Sequence, residues 1–236
     1  MIVVDLSPAC TYAHRMQQEE RSQRSRAHIL EAALELFSHQ GYRATSMRDI
    51  AEAAGVSTGN VYHHYKDKEA IFRALLDQYW TAIEDPTFPF NRALVAGTFP
   101  DNLEEIGRAA RTMVEEYRRH IALIYVDVIE FEGSHIRKFY GEMAERFERF
   151  AARNRDVLRI ESRLRPGVSP GSALMLVTRF FMNYYAVEVL FGVRNHFGKS
   201  SEEALHEIAD ILRHGMLAPE HHETGLEVAG QSVPSR

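Results

Sequence analysis

The chain is poor in several things, and each scarcity narrows what it can be. It has a single cysteine, Cys10. One thiol excludes an internal disulfide framework and a cysteine zinc cluster, and it fits a reducing, cytoplasmic setting. No apolar run reaches the roughly 18 residues that a membrane span requires, so no membrane partner is expected. Residues 1–10 lack the basic stretch that opens a secretory signal. Strand-like alternation never lasts more than a few residues, and no internal repeat is found. No catalytic signature stands in the context its chemistry needs. Gly-x-Ser-x-Gly spacing occurs at 55–59 and 167–171, but neither follows a strand-like run as a nucleophile elbow requires, and there is no phosphate-cradling glycine loop and no His-Glu-x-x-His helix. The expectation is a protein that is not an enzyme and carries no cofactor. A net charge of −5 over 236 residues argues against a generally basic nucleic-acid coat.

What remains is an ordinary globular composition, 45% hydrophobic and 26% charged, in a chain long enough to bury a proper core. Its periodicity is helical throughout. Residues 1–20 read as an irregular, disordered extension, with Met16 an alternative start. From Arg21, Ile29, Leu30, Ala33, Leu34 and Phe37 recur at three and four residues, one face of an amphipathic helix, and Gly41 ends it. Ser46 with Asp49 forms a capping box for a second helix. Ser57 caps a third and Asp67 a fourth, which covers 68–84. A loop-rich stretch around Pro86, Pro89, Gly97 and Pro100 follows. Beyond it lie an apolar pattern from Ile106 to Phe131 with a break near His120, and another from Ile136 to Val157. A nearly all-apolar helix then covers 172–193, and a last helix covers 200–217, opened by a Ser200/Glu203 capping box. The expected organisation is an extension over 1–20, a DNA-binding domain over 21–66, a helical domain over 67–217 and a disordered tail over 218–236.

The stretch from Thr45 to Tyr65 carries the chemistry. Two short helices crossing steeply need a small residue at the crossing, a turn residue tolerant of positive φ, and apolar locks. Ala51, Gly55, and the trio Ile50, Val56 and Val61 meet those needs. Ser57 would leave the leading turn of the second short helix facing outward, a place for phosphates or base edges. Between 21 and 66, six basic side chains face four acidic ones, a local net of +2. A DNA-binding reading therefore rests on geometry and on local placement of charge.

Around that motif, Ala32-Ala-Leu-Glu-Leu-Phe37, Gly41-Tyr-Arg-Ala-Thr45 and Val61-Tyr-His-His-Tyr-Lys-Asp-Lys-Glu-Ala-Ile-Phe72 stand in the order and spacing of one family. The segment 26–76, about a fifth of the chain, resembles the DNA-binding domain of the TetR family. His64 departs softly from that pattern. The resemblance implies an all-α fold: a three-helix N-terminal helix-turn-helix domain and a larger helical domain for ligand binding and dimerisation. It implies a dimeric, ligand-released repressor of a near-palindromic operator in double-stranded DNA. By the same resemblance Thr58, Gly59 and Asn60 face base edges at the leading end of the recognition helix, capped by Ser57. Tyr62 and His63 would touch backbone phosphate or a thymine methyl. Thr45, Ser46, Arg48, Lys66 and Lys68 would hold phosphates.

Blander readings stand beside these. Tyr62 could pack on the first helix, Tyr65 reads as core, and Arg48 could be a solvated charge. His63 and His64 point about 100° apart on a helix, so no metal site is expected there. In the second domain Met113, Tyr117, Tyr125, Phe139, Met143, Phe147, Met175, Phe180, Phe181 and Tyr184 are core residues or the lining of a pocket. His135, Arg179 and Asn183 are its polar anchors, and the expected effector is small and apolar or aromatic. The helices at 172–193 and 200–217 would pair with their copies as a four-helix homodimer bundle. The alternatives are a helical adaptor that binds protein rather than DNA, and a cryptic enzyme.

Overall fold

In a computed structural model that describes residues 8–96, 99–160 and 162–216, every secondary-structure element is a helix. The first, α1 (Pro8–Gln40), runs 33 residues. Its apolar stripe begins only at Ile29 and is buried through Phe37. Gly41 then turns the chain at φ +87, and its N–H donates to Phe37 O at 3.1 Å. The helix starts well inside the stretch that reads as an irregular extension over 1–20; of that stretch, residues 1–7 lie outside the described ones. The pattern missed it because residues 15–28 are exposed or half-exposed and present no apolar stripe. Helix-forming Arg, Gln and Glu, with an Arg15–Glu19 pair one turn apart, suffice there.

Three shorter helices complete the N-terminal half: α2 (Met47–Ala53), α3 (Thr58–His64) and α4 (Lys68–Glu84). Each has the cap its sequence specifies. Ser46 and Asp49 bond reciprocally, Ser57 accepts from Asn60 N–H, and Asp67 accepts from Ala70 N–H. The core of this half joins α1 to Ile50, Ala51, Val61 and Tyr65, but also to Ile71, Phe72, Leu75 and Leu76 of α4. It takes in Leu123 and Ile136 from the second half as well. The expected boundary between 66 and 67 therefore cuts through one core; α4 belongs to both halves.

The second half holds α5 (Pro89–Leu94), α6 (Leu103–Glu116), α7 (Arg118–Phe131), α8 (Arg137–Gly141), α9 (Met143–Arg153), α10 (Arg155–Leu158), α11 (Pro170–Val189) and α12 (Ser201–Met216). The break expected near His120 falls at Tyr117, and the helix expected from Ile136 to Val157 is three pieces. At the far end of α11 the apolar pattern continues to Val193, but the helix stops because Gly192 takes φ +69. The Ser200/Glu203 capping box forms as the spacing predicts. The expected tail over 218–236 lies outside the described residues.

This half is built around α11, whose two apolar flanks pack on α6 and α9. Its all-round apolarity is thus largely met within one chain. Gly107 on α6 permits the closest approach: a Cβ there would meet Leu205 Cδ1 at 2.3 Å and the Phe181 ring at 3.1 Å. Inside the same core the buried Glu188 carboxylate accepts from Tyr184 OH and Ser201 Oγ, fixing the start of α12. No described helix is long and apolar enough to cross a membrane.

Candidate functional site

The helix-turn-helix is assembled as its residue types require. Ala51 is buried at the crossing, Gly55 takes φ +66 in the turn, and Ile50 and Val61 lock the two helices with no exposure. Val56 is half-buried beside them and its N–H donates to Ala51 O at 3.0 Å. This leaves one face of α3 to solvent: Ser57, Thr58, Gly59, Tyr62, His63 and Lys66 are all exposed. Tyr62 is 55% exposed, which rules out packing on α1 as its role. Tyr65 is core, and its OH accepts from Arg26 Nε at 3.0 Å. Asn60 is half-buried, with its Oδ1 enclosed and without a hydrogen-bond partner. His64, the soft departure from the family pattern, is half-buried against this base; burial, then the charge of His63, lowers its pKa.

Two expected phosphate contacts are not on that face. Thr45 is buried, its hydroxyl donating to Gly41 O at 2.9 Å and accepting from Gln40 Nε2. Lys68 turns inward: Nζ donates to Tyr42 O and Thr45 O, both at 2.6 Å, and lies 4.1 Å from the Tyr42 ring centre. Burial pulls its pKa below the ordinary lysine value. Both side chains staple the α1–α2 turn by satisfying the carbonyls of Gly41, Tyr42 and Thr45. Ser46 and Arg48 remain exposed at the start of α2. The Ser46 bonds to Asp49 hold that carboxyl below its usual pKa, so the cap is ionised at neutral pH.

The α1–α2 turn is also held from the other half of the molecule. Glu130, near the end of α7, accepts the backbone N–H groups of Tyr42 at 2.8 Å and Arg43 at 2.7 Å. No sequence signal marks this residue, which reads as one more solvated helix charge. Beside it lies His135, expected as a ligand anchor. It sits instead at the seam between the halves, with Nδ1 2.5 Å from Asp127 Oδ1 and Nε2 3.3 Å from Glu69 Oε1. Its ring is wedged against Phe72 and Phe131. Residue 135 follows the left-handed turn at Glu132 and Gly133, which aims it at α4 rather than into the helical bundle.

A cavity of about 1190 Å³ opens between α4, α7, α9 and α11. Ten of the expected residues line it: Met113, Tyr125, Phe139, Met143, Phe147, Met175, Arg179, Phe180, Asn183 and Tyr184. His135 does not, and neither does Tyr117, whose ring packs 5.6 Å from those of Tyr79 and Phe88. Phe181 is core, buried against α6. Sequence reasoning missed Trp80, which stacks on Phe139 at 3.7 Å, and Glu84 and Arg146 beside it. Among the described residues no cluster of three metal-ligating side chains occurs.

Comparison with known proteins places this geometry. Residues 29–75 match the family model described as bacterial regulatory proteins, tetR family. The HTH-type transcriptional regulator AcrR of Shigella flexneri is 32% identical over 132 residues, 56% of this chain and 57% of that one. The HTH-type transcriptional repressor KstR2 of Mycolicibacterium smegmatis is 30% identical over 131 residues, 51% of this chain and 63% of that one. The chain thus spans less than two thirds of the length of these curated relatives. Two solved structures share the fold at low identity. NalD, the secondary repressor of the MexAB-OprM multidrug efflux pump in Pseudomonas aeruginosa, superposes with a TM-score of 0.53 at 20% identity, covering 84% of this chain and 99% of that one. A TetR-family transcription regulator of Marinobacter aquaeolei gives 0.55 at 18% identity, covering 84% and 98%.

Proposed function

We propose that this chain, whose residues 29–75 match the tetR family of bacterial regulatory proteins, is a regulator of that family, binds a near-palindromic operator as a homodimer and leaves it when a small molecule fills the cavity of its second half. The observation that carries the DNA reading is the exposed α3 face. Tyr62, at 55% exposure, has no structural duty in the subunit, and Thr58, Gly59, His63 and Lys66 stand open beside it. Arg48, with no ion-pair partner among the described residues, and Ser46 supply backbone contacts from α2. The test separates positioning from folding. Tyr62→Ala should weaken operator binding about tenfold or more while shifting stability by less than about 0.5 kcal/mol. Lys66→Ala should weaken binding to all duplexes alike and reduce the salt slope by about 1. Binding by Tyr62→Ala at full strength, or wild-type binding that ignores salt, would defeat the assignment and leave a protein-binding adaptor.

Twofold pairing would set two α3 helices in successive major grooves, about 34–36 Å apart. The dimer reading uses α11, its following turn and α12. They expose Phe191 at 58%, Val193 at 48% and Ile211 at 62%, more apolar surface than a lone subunit keeps without reason. Ile211→Glu, on the outer face of α12, should raise the dimer dissociation constant at least about tenfold in sedimentation equilibrium, with helix content unchanged. An unaltered dimer would move the interface elsewhere.

Release requires the effector to bind two conformations unequally. Two elements touch both the cavity and the DNA-binding half. α4 lines the cavity through Tyr79, Trp80 and Glu84 and holds the α1–α2 turn through Lys68. α7 lines it through Ile121, Ile124 and Tyr125 and holds the same turn through Glu130. An apolar or aromatic effector suits the Trp80, Phe139, Phe147 and Phe150 wall.

A further inference from the structure

The charge around the cavity is lopsided. Its lining includes Arg146, Arg149, Arg153 and Arg179, against a single carboxylate, Glu84. Arg149 is occupied by Glu145. Arg179, on α11, has no carboxylate partner among the described residues; its guanidinium lies 5.4 Å from the Tyr140 ring centre and donates to Met143 Sδ at 3.3 Å. Arg146, on α9, pairs with Glu84 of α4 and with Glu142. Its Nε is enclosed without a hydrogen-bond partner, and its guanidinium rests 4.8 Å from the Phe139 ring centre. The Phe139 and Tyr140 rings are themselves 5.6 Å apart, so the two guanidinium groups flank one aromatic pair.

A partly buried guanidinium is best satisfied by a planar anion that accepts two of its N–H groups. A neutral apolar guest would leave Arg179 and Arg146 Nε unpaired in a drier cavity, and a cationic guest would meet like charge. Resting on the effector reading above, we infer that the cavity takes an amphipathic organic anion: an apolar body against Trp80 and Phe139, and a carboxylate held by Arg146 and Arg179. The carboxylate competes with Glu84 for Arg146. Glu84 is the last residue of α4, whose first residue is Lys68. The arrival of an anion therefore detaches the end of α4 from α9 and loosens the element that holds the α1–α2 turn.

Trp80 is the sole tryptophan and lines the cavity, so its fluorescence reports occupancy. The intact protein should be titrated with decanoate, decan-1-ol and decylammonium, three guests that differ only in the head group. Decanoate should bind about tenfold or more tightly than the other two. Arg146→Met and Arg179→Met, which keep the stem and remove the charge, should each erase most of that advantage while leaving decan-1-ol binding unchanged. Glu84→Gln should raise decanoate affinity several-fold by removing the competitor. Equal binding of acid and alcohol, preference for the ammonium, or an advantage that survives both arginine changes would overturn the anion assignment and leave the effector cavity standing. Binding of none of the three would overturn the cavity reading itself.

Discussion

Lys68→Met is expected to destabilise the N-terminal half by about 2–4 kcal/mol, with the urea midpoint falling and the m-value unchanged. The estimate follows from what the ammonium touches. It is the charged donor to two backbone carbonyls, Tyr42 O and Thr45 O, at 2.6 Å each, and it rests on the Tyr42 ring. Each hydrogen bond to a charged group contributes about 1.5–3 kcal/mol, and a partly desolvated cation–π contact about 1 kcal/mol. Against these stands the cost of taking the ammonium partly out of water, which its lowered pKa reflects and which methionine escapes. The carbonyls left behind keep their own desolvation penalty, so the change is a net loss. DNA binding should fall with it, but through loss of the folded state. At a temperature where the variant is folded, its salt slope should match that of the wild type. A phosphate contact would give the reverse: stability within about 0.5 kcal/mol and a slope smaller by about 1. The residue thus tests whether the family pattern transfers a contact or a fold determinant to this position.

That ambiguity shows what the sequence could reveal. Ala51, Gly55, Ser46 with Asp49, Ser57 and Asp67 act within a few residues of where they lie, and their spacing was sufficient to place α2, α3 and the start of α4. The exposed α3 face follows from the same local rules, since Val61 must point inward and Tyr62 then points out. Lys68 and Thr45 escaped because their partners are carbonyls of a turn more than twenty residues earlier in one case and buried in the other. The pattern of an amphipathic helix records which face is apolar, not which polar tip folds back. The helix over residues 8–28 was missed for the converse reason: helix propensity without an apolar stripe leaves no period to read. In the second half, ten of the thirteen residues read as core or pocket lining do line the cavity, because apolar and aromatic side chains on facing helices must meet. His135 and Tyr117 were misassigned because a left-handed turn at Glu132 redirects one and a helix break at Tyr117 itself redirects the other. Glu130 was invisible, because its partners are main-chain N–H groups that any sequence would carry.

Glu130→Gln is expected to show how much of the communication between the halves passes through α7. The carboxylate, 14% exposed, receives two main-chain N–H groups of the α1–α2 turn, and Gly41 lies so close that a Cβ there would meet its Oε1 at 2.7 Å. Glutamine has the same shape but presents one acceptor and one amide donor. One N–H keeps a neutral bond; the other faces a second donor. The loss of charge-assisted bonding should cost about 1.5–3 kcal/mol. Arg43→Gln is the control: the 78% exposed Arg43 guanidinium adds only a solvent-screened pairing at 3.8 Å and one bond to Glu130 O at 3.2 Å, whereas the bond from residue 43 to the carboxylate at 2.7 Å uses its backbone N–H. That variant should be nearly silent. The larger consequence concerns release. Coupling between an effector site and a DNA-binding site typically amounts to about 1–3 kcal/mol, and α4 and α7 are the elements that touch both the cavity and the α1–α2 turn. In Glu130→Gln the hold of α7 on the turn is weakened and Lys68 of α4 becomes the stronger link between the halves, so a cavity ligand should change operator affinity several-fold less than in the wild type, while its own affinity for DNA-free protein is unaltered. Fluorescence anisotropy of a labelled operator, with and without a ligand that shifts Trp80 emission, measures both quantities on one sample. Undiminished release by Glu130→Gln would assign the coupling to α4, and Lys68→Met would then be the variant in which release fails.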